Sequence, residues 1–190
     1  MKHEEFHAFS NKKFDDYSEK KREEAIKAFG CEIAENANDL TSGELKGFIE
    51  EKMGEYFDKY YVKEVKIKEK EIKKEESEKD IIIYVPYDGN VEMLRLKPSV
   101  SSDETLKVFL NEKEIGVKVK DLASKTKEEI SEETDKIVEE LKKNLDSLKK
   151  DIEECNKELK KGLKDEAEKI KKRIEKDKEK LKEIKKIRKK

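Results

Sequence analysis

The chain is poor in the residues from which most catalytic centres are built. It has two histidines, His3 and His7, and two cysteines, Cys31 and Cys155, far apart in sequence. Two distant thiols make no disulfide framework, so the cytoplasm is the expected location. The seven glycines are isolated, and neither G-x-G-x-x-G nor G-x-x-x-x-G-K occurs, so no phosphate-cradling loop is expected. No apolar run approaches the ~20 residues that span a bilayer, and Ile81–Val85 is the longest strongly apolar stretch. Met1–Asp16 has no apolar core of the signal-peptide kind. Apolar residues themselves are scarce: 33% of the chain is hydrophobic and 50% is charged. Ordinary domains carry about 45–50% apolar and about 25% charged residues. One modest core with an appendage is the most such a chain supports.

Charge is abundant and uneven. The formal net charge is −1, yet Lys157 to Lys190 holds 17 Lys/Arg against 8 Asp/Glu, a net of +9 that leaves −10 for the rest. A basic end on an acidic body suggests an acidic partner surface, nucleic acid or self-complementarity. The bland alternative is a solvated helix whose basic end suits its own macrodipole.

The apolar residues cluster between Ala25 and Val119. Phe14, Tyr17, Ala25, Ile26, Phe29, Ile33 and Ala37 step mostly by three and four, which predicts a helix over about 12–35. Asn36–Gly43 breaks it. Thr41 or Ser42 then caps a second helix carrying Leu45, Phe48, Ile49, Met53, Tyr56 and Phe57. From Tyr60 the period shortens. Val65 and Ile67 alternate with lysines, as in a strand with one exposed face. Lys73–Lys79 reads as a charged connection, and Ile81–Tyr87 as a central strand. Asp88-Gly89-Asn90 turns the chain, and Leu94 and Leu96 begin a return strand that Pro98 ends. Leu106–Leu110 and Ile115–Val119 form a second hairpin, giving a mostly antiparallel sheet of four or five strands.

A helical arm begins near Thr126, with Ser124 or Thr126 as cap. Val138, Leu141, Leu145, Leu148, Ile152, Cys155 and Leu159 step by alternating threes and fours, a heptad seam. The pattern slips at Gly162 and resumes as Leu163, Ala167, Ile170 and Ile174, with Asp177 in the stripe before Leu181, Ile184 and Ile187. Such a slip is either a stutter in one rod or the turn of a helical hairpin.

His3-Glu4-Glu5-Phe6-His7 spells H-E-x-x-H, which on a helix would put two imidazoles on one face with a glutamate to activate zinc-bound water. It stands at a fraying terminus, without a third histidine, in a glutamate-rich background, so no metal site is assigned. Cys31 and Cys155 fall at apolar helical positions and read as core thiols. The cluster Tyr56, Phe57, Tyr60 and Tyr61 with Lys59 and Lys63 could stack bases but reads as core and rim. The basic end could neutralise phosphates, with Lys171, Lys172, Arg173, Lys185, Lys186 and Arg188 as the contacts, although Glu175, Glu179 and Glu183 interrupt it.

The segment Val85-Pro86-Tyr87-Asp88-Gly89-Asn90 through Leu96-Lys97-Pro98-Ser99 resembles a stretch of uncharacterised bacterial multidomain proteins reading V-P-[FY]-x-G-[DN], then [KR]-P-S. Tyr56–Ile72 resembles their upstream segment. Leu145–Arg173, with Asp151 and Asn156, is similar to their downstream helices, which read D-[VI]-E-x-[FY]-N-x-x-L-P. In those relatives the region precedes a restriction-endonuclease-like or TIR effector. The resemblance therefore implies a scaffold or sensor in antiviral defence, with the effector beyond the last residue here or on a separate chain. Leu94 and Leu96 replace the relatives' aromatics, and Lys160 stands where they have a proline. That proline, with Asn156 and Gly162, favours two helices over one rod.

The expected fold is thus α+β: a small, mostly antiparallel sheet with N-terminal helices and a long C-terminal two-helix arm, hairpin or coiled coil. The expected division is an N-terminal helical segment over 1–40, an α+β core over 41–122 and the arm over 123–190. No catalytic residue, cofactor site or metal site is assigned. The expected function is that of a non-enzymatic module acting through oligomerisation or partner binding. Its seam, Leu141, Leu145, Leu148, Ile152 and Leu159, would pack on the arm's second half, on the sheet, or on another copy or an effector protein. Nucleic-acid binding by the basic end is the alternative, and no membrane partner is expected.

Overall fold

A computed structural model describes residues 5–10, 12–37, 40–76, 80–101, 106–111, 113–119 and 125–187. The elements in chain order are strand β1 (Glu5–His7), helices α1 (Phe14–Asn36) and α2 (Ser42–Tyr60), and strands β2 (Val65–Ile67), β3 (Lys73–Glu76), β4 (Ile81–Gly89), β5 (Lys107–Asn111) and β6 (Glu114–Val119). Helix α3 (Lys127–Ile187) follows, and short 3-10 turns lie at Glu69–Glu71 and Val91–Arg95. The chain divides into two compact units. Unit 1 comprises Met1–Tyr17 and Lys63–Glu153, and unit 2 comprises Ser18–Val62 and Glu154–Lys190.

Unit 1 is built on a six-stranded sheet ordered β1-β5-β6-β4-β2, with β3 also pairing β4 and every named pair antiparallel. The β5–β6 hairpin forms as its alternation predicts, with Leu110 opposite Ile115 and Phe109 opposite Gly116. Three expectations need correction. The N-terminal segment adds a strand before α1, because Phe6 buries its ring at the sheet edge while Glu5 and His7 stay exposed. The charged Lys73–Glu76 stretch is a strand, all four side chains exposed, along β4. Such a charged edge discourages further strand pairing. The return strand through Leu94 does not form. Asn90 accepts a hydrogen bond from Glu92 N–H through its side-chain oxygen and starts a 3-10 turn that drops Met93 and Leu94 into the core. Gly89 permits this exit, since its φ is +106° and a Cβ there would lie 1.9 Å from the Glu64 carbonyl oxygen just before β2.

Unit 2 is a three-helix bundle. A capping box starts α2, with Glu44 N–H donating to the Thr41 hydroxyl and Thr41 N–H to the Glu44 carboxylate at 2.9 Å. α1 and α2 pack antiparallel: Lys52 pairs with Glu32 at 3.0 Å, and the Tyr56 ring meets Phe29 edge-on. α1 and α3 run parallel. Arg22 pairs with Glu158 across 136 positions, and Ile26 with Gly162 and Gly30 with Glu166 keep that separation. Ala25, Phe29 and Ile33 of α1, Leu45, Ile49 and Tyr56 of α2, and Leu159, Leu163, Ala167 and Ile170 of α3 make the core.

The expected two-helix arm is corrected to one. α3 is unbroken from Lys127 to Ile187, opened by a second capping box between Thr126 and Glu129. Gly162 does not break it. A Cβ there would lie 2.5 Å from Ile26 Cδ1, so the missing side chain makes room for α1. The helix changes unit ahead of that residue: it belongs to the sheet unit up to Glu153 and to the bundle from Glu154 on.

Candidate functional site

The seam residues expected to meet a partner are occupied by the fold itself. Leu141, Leu145, Leu148, Ile152 and Leu159 are all buried. Packing within the chain is one of the arrangements expected for this seam. Side-chain ties also hold segments to α3. In unit 1, Lys142 pairs with Glu69 at 2.8 Å. Asp151 accepts from Ser99 N–H at 2.8 Å and from the Ser99 hydroxyl at 2.5 Å. In unit 2, the buried Asn156 amide clamps Val62 at both backbone groups, accepting from its N–H at 2.9 Å and donating to its carbonyl at 3.0 Å. Asp151, Asn156 and the Pro98-Ser99 pair were singled out by the resemblance, and each here anchors one segment to α3. Lys160, where relatives carry proline, is mid-helix with its ammonium 5.8 Å from the Phe57 ring centre. Leu94 and Leu96 are buried, so they offer no exposed face for stacking.

The aromatic cluster is core and rim. Tyr56 is buried, Tyr60 stacks on it at 6.1 Å, and the Lys59 ammonium caps both rings. The Tyr56 hydroxyl donates to Glu32 at 2.7 Å. That bond, with Lys52 beside it, holds the Glu32 carboxyl below its ordinary range and pushes the Tyr56 phenol up to about 12. Cys155 is buried, and burial raises its thiol pKa. Cys31 is exposed, which corrects its reading as a core thiol. At Cys31 the α1 face turns away from the core that Phe29 and Ile33 enter.

The H-E-x-x-H spelling is not on a helix where it is described, because Glu5–His7 is strand; His3 and Glu4 lie outside the described residues. Among the described residues, no group of three or more His, Cys, Asp or Glu could hold a metal. No described helix is long and apolar enough to cross a membrane.

Among the described residues, the exposed large apolar side chains are Tyr61, Val100 and two at the end of α3. Ile170 is buried and Ile174 half-buried in the bundle. Lys178 reaches the carbonyl of Leu40, where α1 gives way to α2, at 3.1 Å. Beyond it Leu181 is 56% exposed and Ile184 47%, large apolar residues on the same stripe. At 3.6 residues per turn the stripe has a defined border. Arg173 and Lys180 flank it on one side and Lys171 and Lys178 on the other, while Glu175, Glu179 and Glu183 fall on the outer face. Asp177 lies within the stripe. Beside it, a groove of about 810 Å³ runs between α1 and α3, floored by Ile26, Gly30, Ala34, Ala37, Ile170 and Ile174.

Of the expected nucleic-acid contacts, Lys171, Lys172 and Arg173 do not share a face. Lys171, Lys172 and Arg173 are consecutive, so a helix points them about 100° apart. Lys171 is tied to Glu168 at 3.3 Å. Lys185 and Lys186 lie within the last turn of α3, and Arg188 lies outside the described residues, as does Ser124, the other cap considered for α3. Sequence reasoning found the heptad stripe but missed that its occupancy changes along the helix. Gly162 signals only that α1 approaches closely there, since a Cβ would meet Ile26. No family model matches the chain, and no match is found among the curated proteins or the solved structures.

Proposed function

We propose that the protein is a non-enzymatic interaction module, a scaffold or sensor that engages a protein partner through the exposed end of α3. The observation that carries this is the pair Leu181 and Ile184, 56% and 47% exposed on a stripe that is buried from Leu163 to Ile170 and half-buried at Ile174. Two large aliphatic side chains left about half exposed forgo roughly half of the 1.5–3 kcal/mol that full burial of each is worth. A partner surface supplies that burial. In line with the resemblance, the module would serve a bacterial defence protein or complex whose effector lies elsewhere. Soluble, cytoplasmic operation fits this reading.

Nucleic-acid binding is the second reading, favoured by the net +9 of Lys157–Lys190. The scattering of that charge around the helix, with acids on the outer face, argues for the protein reading instead. One experiment separates them. A photo-crosslinking amino acid replaces Leu181 in one protein and Glu179 on the outer face in another, and each is irradiated in a lysate of the organism that carries the gene. The expected result is a protein adduct from position 181 and none from 179. Nucleic-acid adducts, or equal labelling from both positions, would overturn the proposal.

A further inference from the structure

The chemistry of the partner can be taken further, resting on that reading of the α3 end. We infer that the stripe Ile174–Leu181–Ile184 docks an amphipathic helix whose own apolar seam is flanked by acidic residues and carries one Lys or Arg within it.

The residues that border the stripe decide the charge a partner must carry. When two helices pack along a seam, the residues flanking each seam face one another. Here the described flanks are Arg173 and Lys180 on one side and Lys171 and Lys178 on the other, all basic. A second copy offering the same stripe would set base against base in either orientation. Like charges so placed are repulsive, so self-pairing through this stripe is disfavoured. Acidic flanks turn each of these contacts into an attraction. Asp177 sharpens the requirement. It sits in the seam between Ile174 and Leu181, where an apolar neighbour would strip its carboxylate of water without compensation. A Lys or Arg in the partner's seam at that layer answers it and sets the register, as single polar seam residues do in coiled coils. Asp177 also argues against a lipid surface, because an interfacial helix buries an uninterrupted apolar face.

The surroundings leave space. The groove between α1 and α3 is lined by Gly30, Ala34 and Ala37 on its α1 wall and reaches Arg173, Ile174 and Asp177. A helix seated on Leu181 and Ile184 can continue into it along α3. The β3 edge of the sheet is fully charged and exposed, which disfavours strand addition there.

The test uses the whole chain and two synthetic helical peptides with one apolar seam and one seam lysine. Their flanks are all Glu in one and all Lys in the other. Fluorescence anisotropy at about 50 mM salt should show binding of the Glu-flanked peptide alone, weakened about tenfold or more at about 500 mM salt, where screening shortens the reach of charge. The double variant Leu181→Ser, Ile184→Ser should lose binding while its thermal melt stays that of the parent, since neither residue belongs to the core. The reversal Arg173→Glu, Lys180→Glu should transfer preference to the Lys-flanked peptide. Binding of both peptides alike, of the Lys-flanked one by the unaltered chain, or of anionic phospholipid vesicles in place of either would overturn the inference. Failure of both peptides would overturn it as well, and a protein adduct at position 181 would then leave the interaction surface standing without this chemistry.

Discussion

At the scale of single residues, the protein places polar side chains where they tie segments to α3. Asn156 is the sharpest case, because its amide serves both backbone groups of Val62 in a buried place. Asn156→Ala leaves a donor and an acceptor without partners, each costing about 1–3 kcal/mol. Loss of about 2–4 kcal/mol in urea denaturation is the expected result, and a loss under ~0.5 kcal/mol would show that water replaces the clamp. The thiols provide a second residue-scale test. In native protein Cys31 should react with an alkylating reagent first, and Cys155 only on unfolding, because burial disfavours its thiolate. Mass spectrometry after brief labelling should find one adduct, on Cys31. The sequence could not separate these cysteines. Both fall at apolar helical positions, and only the tertiary packing of α1 decides which side of the core each meets.

At the scale of elements, much was legible. The helical periods of α1 and α2, the Thr41 cap, the β2 alternation and the β5–β6 hairpin follow local rules, and the structure keeps them. Misreadings arose where a local pattern had two outcomes. Leu94 and Leu96 alternate like a strand, but Gly89 and Asn90 redirect the backbone into a turn. Gly162 reads as a helix break, since glycine costs about 1 kcal/mol in a helix. Its actual role is spatial, giving Ile26 room. Gly162→Ala tests this, because helix propensity alone would raise stability by up to about 1 kcal/mol while the Ile26 contact at 2.5 Å opposes it. Gly162→Leu is decisive. Overpacking there should cost about 1–3 kcal/mol with α3 still helical by circular dichroism. A Gly162→Leu protein as stable as the parent would mean that α1 and α3 do not pack at this point.

At the scale of the whole molecule, the chain comprises two compact units, each discontinuous in sequence. A linear reading cannot see such a division, because no composition shift falls at Tyr17, Val62 or Glu153. Charge sets the response to pH. Glu32 titrates below its ordinary range in the folded chain, so the stability it lends is present above that range and lost as pH falls through the lowered value. Glu44 and Glu129, bound in the two capping boxes, act in the same direction. Tyr56 is the opposite case. Its phenol is raised to about 12, so its contribution is full below its ordinary range and is lost as pH climbs toward 12. Thermal stability should therefore be flat through neutral pH and fall on both sides, and Tyr56→Phe should flatten the alkaline fall. An unchanged alkaline limb in that variant would place its cause elsewhere.

All of this rests on one claim, that the stripe of α3 is spent inside the fold as far as Ile174 and left open beyond it. Hydrogen exchange along α3, read residue by residue in the isolated chain, tests it most directly. Strong protection is expected from Leu141 to Ile170, near the stability of the whole fold, falling steeply beyond Lys178 and rising again around Leu181 and Ile184 only when the Glu-flanked helix is added. Uniform protection to the end of the helix, or rapid exchange between Leu145 and Leu159, would contradict it.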